Sequence, residues 1–317
     1  ATLRERMTRA ARWERYDSRA EEWLDAVPTD HIVHAVAARG EWPGIRPLVA
    51  FSETPIVRPD LSIVTSAGYD AVTGCIYLPS CELPRIPPRP TRDDAIAAVE
   101  LLSEPFEDFP YRGDADRVVP VAAILTMLAR SAIAGAVPAC VLDASTRGSG
   151  KSLQADVIAT IASGRAAPRM SWPGDDTELE KVLGAYALRG ASLVALDNIT
   201  TPFGGGPLDR VLTAQDTVEL RVLGRSEIPA LRWRAVVLAT GNNVEVVGDT
   251  TRRVLGARLE PQDGSPEDRT DFRHPDLLGW VRAERPRLVA AALTLIRAWH
   301  LAGRPQMECR KWGRFEA

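Results

Sequence analysis

The chain has 317 residues, 45% hydrophobic and 26% charged, a balance that fits a globular fold and excludes a fibrous or disordered chain. A net charge of −3 argues against a globally basic nucleic-acid binder, so any such contact has to come from a local patch. There is no run of about 18 apolar residues to span a membrane, and the charged opening ATLRERMTRAARWERY has no signal-peptide core.

Residues 1–40 read as helical, with Trp13, Tyr16, Trp23, Leu24 and Val27 at irregular helical spacing. Pro28, Thr29 and Asp30 read as a stop and a new cap. His31 and His34 sit three apart on the next helix. With no acidic or Cys partner at suitable spacing, they read as helix surface rather than metal ligands. Residues 41–83 gain Pro, Gly and β-branched residues, and 55–57, 62–64 and 75–78 read as short strands around a turn-rich link at 68–74. PRIPPRPT, from residue 84, reads as a stiff linker. Thr91 or Asp93 caps a helix to about residue 103. Phe106, Phe109 and Tyr111 read as core aromatics. Residues 118–134 form an apolar helix with Pro120 in its first turn, stopped by Pro138. Cys75, Cys81, Cys140 and Cys309 lack metal spacing and read as reduced thiols.

Residues 141–157, VLDASTRGSGKSLQADV, organise the rest of the chain. They read as a buried strand, a Gly-rich turn and a helix opening at Lys151. Gly150, Lys151 and Ser152 complete the phosphate-loop template G-x-x-x-x-G-K-[ST], with Ser145 in the leading Gly position. The turn Ser145, Thr146, Arg147, Gly148, Ser149, Gly150 offers successive backbone N–H groups to an anion, and the helix adds its positive end. Lys151 is expected on the β- and γ-phosphates of ATP, and Ser152 on Mg²⁺. Lys151 is one of only three lysines, with Lys181 and Lys311. Asp175 or Asp176 caps a helix to about residue 188 carrying Glu178 and Glu180. Residues 191–199, ASLVALDNI, read as an apolar strand delivering Asp197 to the metal. Pro207 opens a short helix to residue 214, and 218–222 and 233–239 read as two strands around GRSEIPALR. The second ends in Thr240, Gly241, Asn242 and Asn243, where a γ-phosphate could be sensed. Thr251, Arg252 and Arg253 precede a strand at 254–259. Residues 274–303 read as two helices divided by Pro286, a helical lid.

The ordered set GSGKS, ALDN, a β-hairpin, LATGNN and TTRRVLGARLEP resembles the AAA+ ATPase core of helicase superfamily III. The resemblance is closer to the helicase halves of primase–helicase replication proteins from phages and mobile elements, and spans residues 45–317. It implies an α/β fold: a phosphate-loop core with a parallel-type sheet flanked by helices, a hairpin before the sensor strand, an N-terminal α+β module and a C-terminal helical region. The expected divisions are 1–90, 91–137, 138–262 and 263–317. It implies ATP-driven movement on DNA, single-stranded or forked, by a homo-oligomeric ring, usually a hexamer, in the cytoplasm of a bacterium or a phage-infected cell. Lys151 and Ser152 carry over as the nucleotide-binding pair, Asp197 as the metal carboxylate and Asn242 as the γ-phosphate sensor. Arg253, with Arg252, carries over as the arginine finger reaching the next subunit. The hairpin, 218–236, would contact DNA through Arg221, Arg225, Arg232 and Arg234.

Two positions depart from the wider class. Ser145 replaces the first loop Gly, and Asn198 stands where many AAA+ proteins carry a Glu as catalytic base. Glu178 or Glu180 is a candidate for the missing carboxylate. These departures motivate a rival reading, a nucleotide-dependent DNA clamp or loader with weak hydrolysis. A third reading is a remodeller that does not touch nucleic acid. The start at Ala1 rather than Met and the tail at 312–317, which resembles the start of a further segment, suggest a piece of a longer protein with a primase domain.

Overall fold

The computed structural model describes residues 2–39, 42–221, 229–261 and 269–306. The chain divides into two compact units, Ala1–Pro47 and Leu48–Ala317. In the first, helix α1 (Leu3–Ala10) is followed by strands β1 (Glu14–Asp17) and β2 (Glu22–Asp25) and helix α2 (Asp30–Ala38). The all-helical expectation for this region fails at the hairpin. Tyr16 and Trp23 are cross-strand partners with ring centroids 5.4 Å apart, and the pairing overrides local helix propensity. Helix α2 begins where Pro28, Thr29 and Asp30 predict, and carries His31 and His34. No metal-binding group of His, Cys, Asp and Glu occurs among the described residues.

The second unit opens with short strands: β3 (Ala50–Ser52), β4 (Ile56–Val57), β5 (Ile63–Val64), β6 (Gly68–Asp70) and β7 (Cys75–Tyr77). They form a β3–β7–β6 sheet and a β4–β5 hairpin. Part of the expected 68–74 link is thus a strand. Buried Asp70 accepts from the backbone N and Oγ1 of Thr73 (3.0 and 2.7 Å), which confines the turn to a few residues. Helix α3 (Arg92–Ser103) starts at a capping box of Thr91 and Asp94. Helix α4 (Asp114–Ala129) starts four residues before the expected 118 and ends before 134, so Pro120 lies inside it rather than in its first turn.

Then come β8 (Ala139–Ala144), α5 (Lys151–Ser163), β9 (Arg169–Ser171), α6 (Asp176–Leu188), β10 (Leu193–Ile199) and α7 (Gly206–Val211). The last elements are β11 (Thr217–Glu219), β12 (Ala230–Arg232), β13 (Val236–Asn242), β14 (Val254–Leu259) and α8 (Leu277–Leu301). Strand β9 ends at Ser171, in the stretch Ser171, Trp172, Pro173 and Gly174 that reads from the sequence as a loop. The hairpin partner of β11 is β12, not the predicted 233–239 strand, because β13 belongs to the main sheet.

That sheet has the order β14–β8–β13–β10–β9, with every pairing parallel. Both its faces are covered, so its strands are apolar on both sides. On β8, Cys140, Leu142 and Ala144 face a core built with α3, α4, α5 and α8, while Ala139 and Val141 face one built with α6 and α7. Helix α8 is a single element and Pro286 does not divide it. An internal proline costs about 3 kcal/mol. Burial of Val281, Leu288, Val289, Ala292 and Leu293 against the α5 side of the sheet offsets it. Among the described residues no helix is long and apolar enough to cross a membrane.

Because α8 is part of the core, Leu288→Ala, at a fully buried site, is expected to lower the stability of the whole unit by about 2–5 kcal/mol in denaturant unfolding. A loss under about 0.5 kcal/mol, the range of surface substitutions, would mark α8 as peripheral.

Candidate functional site

The parallel order places β13 between β8 and β10, so the carboxyl ends of all three open on one crevice. The connection leaving β8 runs toward the β9 edge, whereas β14 lies on its other side. Such a reversal of strand order is where open α/β sheets bind ligands.

The loop from β8 to α5 occupies this crevice. Gly148 and Gly150 have φ of 73° and 89°, in the left-handed region that favours glycine. A Cβ on Gly150 would stand 2.7 Å from Cε1 of Phe109, so a side chain there is excluded by sterics as well as by backbone. Ser145 does not share the positive φ, and its place in the template causes no backbone strain. Its carbonyl accepts from Nδ2 of Asn243 at 3.3 Å. Ser149 is buried and donates to the carbonyl of Thr146 at 2.6 Å, closing the loop on itself. Thr146, Arg147 and Gly148 are exposed.

Lys151 is buried at the first position of α5. Its Nζ donates to Oδ1 of Asn242 at 2.7 Å and to the carbonyl of Thr146 at 3.1 Å. Burial pulls the ammonium below the usual lysine range, and the charges of Asp143 and Asp197 oppose that shift. Next to it, Ser152 Oγ lies 3.4 Å from Oδ1 of Asp197. The same carboxylate oxygen accepts from the hydroxyl of Thr240 on β13. The structure thus brings together Lys151, Ser152, Asp197 and Asn242, residues up to 91 positions apart.

Asn198 lies on a register shift of β10 between Leu196 and Ile199, exposed, with φ of 57°. Asparagine enters the left-handed region more readily than longer residues do, and bulges of this kind re-aim side chains beside sites. Glu178 and Glu180 stand apart on α6. Glu178 is exposed and accepts from Lys181 Nζ at 2.6 Å. Glu180 accepts from the backbone N of Arg221 and pairs with Arg210 (3.3 and 3.1 Å). Neither contacts the loop or Asp197 among the described residues.

Arg253 is turned into its own chain, 2.8 Å from Oδ1 of Asp209, which also accepts from Thr250. Arg252 is exposed and has no ion-pair partner among the described residues. Of the hairpin arginines, Arg221 and Arg232 are exposed, and Arg234 pairs with Asp216 at 2.7 Å. Arg225 lies outside the described residues.

Sequence reasoning missed the supporting contacts of five residues. Thr240 holds Asp197. Asp143 accepts from the backbone N of Val244 at 3.0 Å and pairs with Arg258, whose Nη2 donates to Oδ1 of Asn243 at 2.9 Å. Phe109 packs on the Gly150 turn. Thr240 and Asn243 lie in the LATGNN motif, Asp143 precedes the loop in its own stretch and Arg258 lies in TTRRVLGARLEP. Their supporting contacts, like the packing of Phe109, come from strand register and tertiary packing.

The phosphate-loop turn, buried ammonium and paired hydroxyl and carboxylate fit a nucleotide phosphate chain with a divalent cation. Ammonium and backbone N–H groups are anion donors, and Ser152 with Asp197 is an oxygen pair suited to Mg²⁺. Fold and site together define an α/β protein with a phosphate-loop-like turn at the carboxyl edge of a five-stranded parallel sheet flanked by helices. No protein-family profile matches the chain, and no curated protein matches it. Among solved structures it is similar to the A-form apo C-terminal region of NrS-1, at 10% identity and a TM-score of 0.41, covering 93% of this chain and 68% of that one. It is also similar to the JCV helicase, at 12% identity and a TM-score of 0.32, covering 64% of this chain and 59% of that one. At these values the likeness assigns no function.

Thr240→Val keeps the shape and removes the hydroxyl that orients Asp197. It is expected to raise the Mg²⁺ concentration needed for nucleotide binding by about 10–100-fold, as loss of an outer-shell partner does. A Mg²⁺ titration of fluorescent ATP-analogue binding that matches wild type would refute that role.

Proposed function

We propose that the chain is an ATP-hydrolysing motor module that moves on or unwinds DNA as a homo-oligomeric ring, the activity of a replication helicase. The convergence of Lys151, Ser152, Asp197 and Asn242 at three adjacent strand ends is the observation that carries the reading. ATP would lie on the 145–152 loop, with Lys151 on the phosphates and Ser152 and Asp197 on Mg²⁺. The cation would supply charge neutralisation of the phosphate chain.

The residues of the chain then have separable tasks. Lys151, desolvated and short of acceptors other than Asn242 and one carbonyl, is poised to exchange them for phosphate oxygens. Asn242, whose Oδ1 accepts from Lys151, would offer its Nδ2 to the terminal phosphate. Asn198, exposed beside Asp197, can orient a water molecule but cannot take its proton. Arg252 is the exposed member of the arginine pair and is the one free to reach a neighbouring subunit, while Asp209 positions Arg253 behind it. Arg221, Arg225, Arg232 and Arg234 would supply salt-sensitive, sequence-independent contacts to DNA phosphates. The partner chains would be further copies in a ring, a hexamer by resemblance, with a primase domain as a further covalent neighbour.

Asn198 also favours a second reading. With no carboxylate from α6 beside Asp197, the site suits a ring that clamps DNA under nucleotide control and turns over slowly.

ATP hydrolysis measured with and without single-stranded DNA, for wild type and Lys151→Ala, separates these. The motor predicts DNA-stimulated turnover that falls to background in the variant. Turnover in the variant equal to wild type would refute the nucleotide site, and ATP-dependent DNA binding without turnover would select the clamp.

A further inference from the structure

The candidate nucleotide site lies at the carboxyl edge of the sheet, and a second opening lies at the other edge. A cleft of about 1110 Å³ runs beneath the amino-terminal ends of the strands. It is large even against ligand pockets of about 300–1,000 Å³. Leu193, the first residue of β10, and Arg234, which precedes β13, both line it. Helix α5 joins the two sites, with Lys151 at one end and Ser163 at the cleft. Its 13 residues span about 20 Å.

The charge of the cleft opposes that of the chain. Arg130, Arg165, Arg189, Arg232 and Arg234 line it against Glu53 and Asp216, a surplus of three positive charges in a chain whose net charge is −3. Internal pairing does not cancel this surplus. Asp216 is shared between Arg234 at 2.7 Å and Arg232 at 3.8 Å, and Glu53 serves Arg165. Arg189 lies over the ring of Tyr186, 4.5 Å from its centroid, and has no carboxylate partner among the described residues.

Arg130 is the most telling member. It is only 6% exposed, donates to the carbonyls of Ile133 and Gly135 (3.0 and 2.8 Å), and its buried Nε has no partner. Burial, and then the charge of Arg234, push its pKa down to about 10, so it still carries its charge at neutral pH. The opposing charge of Asp216 pulls that pKa back up but is already shared with Arg232 and Arg234, and a buried cation so weakly compensated is costly unless a further anion is brought to it. At the carboxyl end of α5 the carbonyls of Ala162 and Thr160 are engaged, accepting from Thr54 Oγ1 and Arg285 Nε at 3.0 and 2.9 Å.

Phe51 adds a second chemistry. It stands on β3, lines the same cleft and is 64% exposed. Arginines with an interleaved exposed aromatic ring suit a single strand, whose phosphates take the guanidinium groups and whose unpaired bases stack on the ring. A small anion would have no use for the ring.

We propose that this cleft binds single-stranded nucleic acid, with Arg130, Arg165 and Arg189 on phosphates and Phe51 on a base. The inference rests on the reading of the chain as acting on DNA. It extends the strand's path beyond the β11–β12 hairpin, whose base contributes Arg232 and Arg234 to the cleft wall.

Anisotropy of a fluorescent oligo-dT, titrated with the full chain over a range of salt, tests it. The variants are Arg165→Ala/Arg189→Ala and Phe51→Ala, all at exposed positions, with thermal melting as the check on folding. The double variant is expected to bind at least about tenfold more weakly, and its salt slope to fall by about 1.4, the loss of two single-strand phosphate contacts. Phe51→Ala is expected to weaken binding by about fivefold or more with the salt slope unchanged, as loss of stacking does. If wild type binds and both variants match it in affinity and slope, the cleft is refuted and the ring motor stands. If wild type binds no oligo-dT even at low salt, both readings fall.

Discussion

The candidate site is organised around a lysine ammonium held out of water. Lys151 is largely withdrawn from solvent and donates instead to Asn242 and to its own loop, while the charges of Asp143 and Asp197 oppose the downward pull of burial on its pKa. Burying a charge is tolerated only where acceptors are supplied, so this one contact constrains three elements at once. The loop must fold back to present the Thr146 carbonyl. Strand β13 must lie beside β8 to bring Asn242, and β10 must lie beyond β13 to bring Asp197.

The rest of the second unit makes that arrangement rigid. A parallel sheet covered on both faces has strands apolar on both sides, and here two cores sandwich it. Helix α5 lies in the larger core and is buried along most of its length, so the orientation of Lys151 is set by packing and not only by the turn before it. Helix α8 presses on the same side. Packed interiors deform little, and α5 therefore offers a stiff connection between the nucleotide crevice at its start and the arginine-lined cleft at its end.

The two departures from the wider template have local physical reasons. Ser145 takes no left-handed conformation, so the glycine of the template is not needed for backbone freedom there. Asn198 does take one, on a strand irregularity beside Asp197. A side chain that tolerates that backbone is favoured over a longer carboxylate. The structure thus makes Asn198 a consequence of how β10 ends rather than a simple loss of function at an otherwise regular strand.

Much of this was legible in the chain alone. Gly150, Lys151 and Ser152 after an apolar strand, Asp197 at the end of another and Asn242 at the end of a third are local patterns. Apolar runs and turn residues reveal local structure because they act over a few residues, and most helix starts obeyed the same logic. What the sequence did not disclose were pairings and packing. The β1–β2 hairpin, the short strands β3, β6 and β9, the true partner of β11 and the continuity of α8 through Pro286 all depend on contacts between residues distant in the chain or on burial that outweighs a local preference. The same holds for the site. Sequence determined which residues could hold phosphate and metal. Only the tertiary structure decided that Thr240 braces Asp197, that Arg253 is spent on Asp209, and that five scattered arginines gather in one cleft, because strand order and helix packing, not chain proximity, set those distances.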